Sequence, residues 1–423
     1  MIVVMNKIPE KILASAVKGI EYCETVSSLD DFLDYKFIRT EQANYKTVVS
    51  ILFNYFRNKS EIDYCINSLA PRKIKPFLRR VISVALVQIF YQSGLPDYAV
   101  VDVAVDQVKK KKGKVSANFV NAIIRKSIEY KKSIVPGNNQ LPEYVLKKLS
   151  KPLYDRWKLN FTENKFQQIC DALSKEAEFA FRSIDCTDIA TDNDLKYQKI
   201  NDLNFLTHFG FYRSEDPASI INSELLKTGK IYIQDPATAM GSELLPDIKP
   251  QKILDLCSAP GGKTLILSEL YPDAEIIASD RSAKRLERVK ENVLKYNRKN
   301  IQTVHCDVLN NSFEKEEFDL VLLDVPCSNT GVIRRRPDVM WNFTNKKLSE
   351  ILLLQKNILS ASAKLVRTGG RMLYSTCSIE KEENLDQITN FIANNCFFYL
   401  EKEYLLLPSI NNDGAYSAIL RRK

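Results

Sequence analysis

The chain has 423 residues, more than one hydrophobic core usually organises, so two or three domains are expected. Its 45% hydrophobic and 27% charged content is that of an ordinary globular protein, and apolar runs such as VISVALVQIF (81–90) are too short to span a bilayer. Nine scattered cysteines with no Cys-x-x-Cys pair, and only His208 and His305 as histidines, argue against a disulfide framework, a metal site or a Ser-His-Asp triad.

No signal-peptide pattern follows the opening MIVVMNKIPEKI, so a cytoplasmic protein without a membrane partner is expected. The first 135 residues have helical spacing. FLRRVISVALVQIFYQSG (77–94) places apolar residues at helical intervals and stops at Gly94. YAVVDVAVDQVKKKKGK (98–114) predicts a second helix ending in a Lys/Gly run, and SANFVNAIIRKSIEY (116–130) a third behind a Ser cap. The net charge of +9 is concentrated here: residues 101–150 hold eleven Lys/Arg against four Asp/Glu. Such a face suits a polyanion, although a lysine-rich turn can also be simply solvated. The segments LPDYAVVDVAV (95–105) and KGKVSANFVNAIIRK (112–126) resemble the NusB family, which implies an all-α RNA-binding domain over 1–135.

SIVPGNNQLPEY (133–144), with two Pro and a Gly, reads as a linker. Beyond it, FQQICDALSKEAEF (166–179) is helical and EFAFRSID (178–185) strand-like, so 136–229 is expected to hold the linker and a small α+β connector. From 230 to 423, strands alternate with helices. Strand candidates are KILDLC (252–257), EIIASD (275–280), IQTVHCD (301–307), FDLVLLD (318–324) and GRMLYSTCS (370–378), with helices at 262–270 and 283–296. This order predicts a doubly wound, Rossmann-like α/β domain that binds ligands beyond its strand ends.

LDLCSAPGGKT (254–264) sets Gly261 and Gly262 between a strand and a helix, where backbone amides can approach a ligand. A P-loop would need Gly where Cys257 stands, and the G-x-G-x-x-G of an NAD site is absent. Asp280 at the next strand end suits a ribose diol, and Asp307 at the third suits an exocyclic amine. These features favour S-adenosyl-L-methionine, with Cys257, Ser258, Ala259, Pro260, Gly261, Gly262, Lys263, Asp280, Arg285, Asp307 and Asp324 as cofactor candidates.

Two further strands end in DVPCS (324–328) and YSTCS (374–378), so Cys327 and Cys377 are expected to face one cleft. A lone cysteine at such a place is usually a small hydrophobe. A pair beside an adenosyl pocket suits cytosine-C5 methylation, in which a thiolate adds to C6 so that C5 can take a methyl group. A protonated Asp324 could donate to N3 of the base.

IQDPAT, LDLCSAPGGKT, DLVLLDVPCSNTGVIRRRPD and LYSTCSIEKEEN resemble the RNA cytosine-C5 methyltransferases of the Nol1/Nop2/Sun family. A preceding NusB-like domain points to the bacterial Sun/Fmu type. The resemblance implies a class I methyltransferase domain, Cys377 as nucleophile, Cys327 as the thiol that promotes release, and 16S ribosomal RNA as substrate, naked or in a partly assembled subunit. It also implies a monomer. A tRNA cytosine-C5 methyltransferase and a non-catalytic RNA-binding assembly factor are the alternatives. Arg334, Arg335 and Arg336 are expected to hold phosphates or to be solvated, and Arg182 to touch RNA or to pack between elements.

Overall fold

The structure, a computed structural model, describes residues 7–34, 42–70, 72–133, 141–185, 189 and 195–423. The opening MIVVM and residues 134–140 of the expected linker lie outside the described residues. The chain divides into two units, Met1–Phe166 with Arg336–Phe343, and Gln167–Arg335 with Thr344–Lys423.

The first unit is helical, with α1 Lys7–Thr25, α2 Leu29–Leu33, α3 Gln42–Leu69, α4 Pro76–Tyr91 and α5 Asp97–Ser133. Pro76 opens α4 with a backbone angle already suited to a helix, and Leu78, Val81, Ile82, Ala85 and Leu86 are buried along it. The two helices expected over 98–130 are both present within α5, parted by a kink at Gly113, where φ is 79° and ψ 173°. The break falls in the Lys/Gly run because glycine has no Cβ to resist that geometry. Ser28 and Asp31 cap α2 reciprocally. A side chain on Gly19 would meet Leu52 and Phe32 at 2.7 Å, so glycine lets these elements close on α1. Leu13, Ile20, Ile51, Phe56, Leu86, Ala104 and Val120 join one core, each large side chain stabilising by about 1.5–3 kcal/mol.

Residues 336–343 complete this unit, although they follow the Cys327 loop in sequence. Trp341 packs on the helical core and its Nε1 donates to the Phe56 carbonyl at 2.7 Å, with Lys59 Nζ 4.9 Å from a ring centroid. Asp338 accepts from the Leu29 amide at 3.0 Å, at the N-terminus of α2. Lys109–Lys112 and Lys114 are exposed on α5, with Lys110 pairing with Glu10 at 2.6 Å.

The second unit has two sheets. The small one has strand order β2-β3-β1-β4, from β1 Phe179–Ser183, β2 Gln198–Lys199, β3 Phe211–Ser214 and β4 Ile231–Ile233. The large one has order β10-β11-β9-β8-β5-β6-β7. Its members are β5 Lys252–Leu256, β6 Glu275–Asp280, β7 Ile301–His305, β8 Phe318–Asp324, β9 Val366–Thr376, β10 Phe398–Leu406 and β11 Ala415–Arg422. The pairs among β5 to β9 are parallel, while β11 runs antiparallel to both β9 and β10. Helices α6 Gly262–Leu270, α7 Ala283–Lys295, α8 Asn345–Ser362 and α9 Leu385–Ala393 separate the strands.

The interior strands are almost wholly buried, as near-continuous apolar runs such as FDLVLL require. Strand order reverses between β5 and β8, which opens a crevice beyond their carboxyl ends. This is the Rossmann-like class I methyltransferase arrangement that the sequence predicts. β10 was not among the strand candidates. No helix of the described residues is long and apolar enough to cross a membrane. Among those residues no group of three or more His, Cys, Asp or Glu could hold a metal ion.

Candidate active site at the sheet rim

The chain leaves β5 through Cys257, at φ 62°, and turns into α6 through Gly261, at φ 104°. A Cβ on Gly261 would stand 3.3 Å from Val289, and one on Gly262 2.8 Å from the Gln234 amide. The loop is braced from outside. Arg285 donates to the Ala259 carbonyl at 2.8 Å, Asn292 to the Pro260 carbonyl at 2.8 Å, and the Ala259 amide to Asp280 at 3.3 Å. Asp280 is buried and also accepts from the Ser282 amide at 2.8 Å.

Cys257, Asp280, Arg285 and Asp307 line one cavity together with Pro326 and Leu354. Asp307 is exposed and accepts from the Leu309 amide at 3.0 Å. Among the described residues the buried hydroxyls of Ser258 and Ser279 have no hydrogen-bond partner. The cavity, which Ser279 also lines, thus combines strand-end carboxylates, an unpaired hydroxyl and apolar walls, a set that fits the hydroxyls and flat base of an adenosyl group.

Asp324 ends β8 and makes an ion pair with Lys263 of α6. Burial alone would lower the Lys263 pKa, but the Asp324 carboxylate outweighs it and holds the ammonium above its usual value. The expected donor to a base is therefore one half of a cation–carboxylate pair. Beneath the loop, Asp255 is fully buried and accepts from the Thr264 hydroxyl at 2.5 Å. Burial raises its carboxyl to about 7.

Strands β8 and β9 are parallel neighbours with Asp324 opposite Ser375, so the loops that follow them converge. The sulfurs of Cys327 and Cys377 lie 3.3 Å apart. The Cys327 thiol is pushed well up, first by its hydrogen bond with Cys377 and then by burial. Cys257 is raised to about 12, chiefly by burial, and has no such thiol partner.

Asn329, not singled out from the sequence, takes a left-handed conformation at φ 60°. Its Oδ1 accepts from Cys377 Sγ at 2.9 Å while its amide donates to the Cys327 carbonyl at 3.1 Å. The Asn-Thr-Gly order after Cys327 was the available signal, since Asn tolerates that conformation. Glu383, Gln355 and Gly331 were also missed. A Cβ on Gly331 would lie 2.4 Å from the Gly414 carbonyl oxygen and 2.8 Å from that of Cys377, so this backbone must be bare.

The three arginines after Cys327 are structural. Arg334 is 3% exposed and donates to the carbonyls of Glu176 at 2.9 Å and Ile410 at 3.1 Å. Arg335 pairs with Asp235 at 2.7 Å and Asp413 at 2.6 Å, and in the helical unit Arg336 pairs with Asp30 at 2.9 Å. Arg334 and Arg335 thus spend donors on internal carbonyls and carboxylates, which argues against phosphate contacts for these two. Arg182 resolves to packing. It is fully buried, its Nη1 donates to both carboxylate oxygens of Glu269 of α6 at 2.6 and 2.7 Å, and its Nε donates to Gln234 at 3.0 Å.

Residues 243–410 match the family model described as 16S rRNA methyltransferase RsmB/F, and residues 11–129 match the NusB family. The chain is 42% identical over 179 residues to ribosomal RNA small subunit methyltransferase B of Shewanella oneidensis, an alignment covering 42% of each chain. It is 30% identical over 405 residues to the protein of that name in Klebsiella pneumoniae, covering 92% of this chain and 90% of that one. The solved structure of PH0851 superposes with a TM-score of 0.78 at 22% identity, over 98% of this chain and 99% of that one.

Proposed function

The chain belongs to the RsmB/F family of 16S ribosomal RNA methyltransferases, and from that premise we propose that it methylates C5 of a cytosine in 16S ribosomal RNA through a covalent Cys377–C6 adduct. The observation that carries this reading is the pair of sulfurs 3.3 Å apart beside the Lys263–Asp324 ion pair. Methylation of an amino group needs neither thiol.

S-adenosyl-L-methionine, when bound, supplies the methyl group as an electrophile on a sulfonium. The loop Cys257–Lys263 with Asp280, Asp307 and Asp324 would hold it, and Arg285 would act by bracing that loop. The chain's own residues do the rest. Cys377 adds through Sγ to C6 and makes C5 nucleophilic. The Lys263 ammonium steadies the negative charge that develops at N3, and a proton passed from it to Asp324 would let that carboxyl group donate to N3. After transfer a water takes the C5 proton, the C6–S bond breaks by β-elimination, and Cys327 assists by giving its thiol proton to the departing Cys377 sulfur, to be reprotonated from solvent. The raised Cys327 thiol fits this order: it stays protonated while its partner attacks.

The target base must leave its stack before C6 can be reached. The exposed lysines of α5 supply a surface for the RNA backbone.

The test is trapping. Cys327→Ala incubated with RNA and cofactor should accumulate a covalent protein–RNA adduct that survives denaturing electrophoresis, and Cys377→Ala should give none. An adduct only with Cys377→Ala would reverse the two roles. Bisulfite mapping of ribosomal and transfer RNA from a deletion strain tests the substrate, with loss of a 16S site expected.

A further inference from the structure

We propose that Glu383 is a positioning residue that holds the Cys327 and Cys377 loops in register, so that both thiols address one base. The catalytic half of this statement rests on the function proposed above; the geometric half does not.

Glu383 is fully buried, yet the donors that surround it are neutral. Its Oε2 accepts from the Ser328 amide at 2.8 Å and from Gln355 Nε2 at 3.0 Å. Its Oε1 accepts from the Ser378 hydroxyl at 2.7 Å and from the Ser328 hydroxyl. Ser328 follows Cys327, and Ser378 follows Cys377. One carboxylate therefore grips the residue next to each sulfur, and the two serine hydroxyls lie 3.1 Å apart. Gln355 Nε2 also donates to the Pro326 carbonyl at 2.9 Å, on the other side of Cys327.

A carboxylate can grip both loops at once. The Ser328 amide and Gln355 Nε2 can only donate, so Oε2 must accept, and the two serine hydroxyls donate to Oε1. An amide at this position would have to turn both hydroxyls round and would give up charge-assisted hydrogen bonds, so it would hold the two loops more weakly. The Glu383 carboxylate is also among the influences that raise the Cys327 thiol, after the hydrogen bond with Cys377 and burial. A structural support alone would need only shape. Here the same group sets the separation of the sulfurs and favours the thiol form of the one that acts second.

Misregister should therefore harm the two halves of the reaction unequally. Attack at C6 uses Cys377 by itself. Release needs Cys327 to reach a base already joined to Cys377.

The direct test is thiol coupling in the full-length protein. Diamide takes two electrons and two protons, one proton from each thiol, as the sulfur–sulfur bond forms, and peptide mapping identifies the pair. Cys327–Cys377 should couple readily in the unaltered chain, and Glu383→Ala should slow it by about tenfold or more, since a displacement of an ångström costs that much in a proximity-driven step. Glu383→Gln should fall between, and alkylation of Cys257 should not change. In the presence of RNA and cofactor, Glu383→Gln should turn over slowly while accumulating adduct.

Coupling at the unaltered rate in both variants would overturn the proposal, as would equal loss of adduct and product. If Glu383→Ala does not fold, Glu383→Gln and Ser378→Ala decide by the same coupling assay. If the unaltered protein methylates no RNA but the variants still lose coupling, the registration stands and the proposed function falls.

Discussion

The loop after β5 and the loops after β8 and β9 line the same rim, but different forces hold them. The first combines its own backbone with outside braces: Gly261 supplies a φ of 104°, and Asp280, Arg285 and Asn292 bond the backbone of Ala259 and Pro260. The cysteine loops are tied to each other: Glu383, six residues after Cys377, reaches Ser328, Asn384 holds the Ser378 carbonyl, Gln355 holds the Pro326 carbonyl, and Gly331 and Gly414 pack as bare backbone. The ligand cradle thus leans on the strand and helix that follow it, whereas the two-thiol site is closed by links between its own two loops.

The largest expected effect breaks the support of the first loop. Arg182→Ala would leave Glu269 of α6 buried without its nearest cation, and the loss should be about 3–5 kcal/mol in denaturant unfolding. Arg182→Lys should recover only part, because an ammonium in the place of Nη1 gives up the Nε hydrogen bond to Gln234. A loss near zero would mean that the small sheet does not brace the cradle.

Gly331→Ala strikes the second region. Its Cβ would collide with two backbone oxygens that cannot swing aside, so about 3 kcal/mol is expected, the upper end of the usual cost of overpacking. Coupling of Cys327 with Cys377 should fall as well, because the Gly331 amide donates to the Cys377 carbonyl at 2.9 Å. Unaltered coupling with reduced stability would separate packing from registration.

Asp255 sharpens the comparison through pH. Its folded-state pKa, about 7, lies above the value near 3.9 of an unfolded aspartate, so the native state binds the proton more tightly. The stability it contributes is fully present at acid pH, is lost as pH rises from about 4 to about 7, and is constant beyond. The slope is about 1.4 kcal/mol per pH unit within that window. Asp255→Asn keeps an acceptor for Thr264 and should remove this component. Unfolding midpoints of the two proteins at pH 5, 6, 7 and 8 should diverge up to pH 7 and then run parallel.

The same division explains what could be read from the sequence. Runs such as KILDL and FDLVLL, ending in Asp or Cys beside glycine, carried the large sheet and its ligand loop. The paired cysteines were legible because β8 and β9 adjoin in this topology. β10 was not, since Glu401, Lys402 and Glu403 interrupt its alternation on an exposed edge, where charge discourages pairing with other chains. Glu383 sits in EKEEN, which reads as a solvated acidic run until the fold buries its fourth residue. Arg334 and Arg335 went in the opposite direction: a basic cluster near a cleft suggests phosphate, but internal carbonyls and carboxylates already take donors of these two.

The smallest effect tests whether the first loop is encoded as described. At Gly261 an alanine must adopt a left-handed conformation, which costs about 1–2 kcal/mol for a residue with a Cβ. It also meets Val289 at 3.3 Å, so the helix α7 must yield slightly. At Gly262 the backbone is ordinary and the obstacle is the Gln234 amide at 2.8 Å, a side chain that can rotate away. Gly261→Ala should therefore lose more stability than Gly262→Ala, and it should weaken cofactor binding measured by calorimetry because the amides it carries move. Gly262→Ala should disturb instead the Gln234–Arg182 contact, and so depend on whether Arg182 is present. The reverse ranking would mean that the braces from Asp280, Arg285 and Asn292, and not the Gly261 backbone, set this turn.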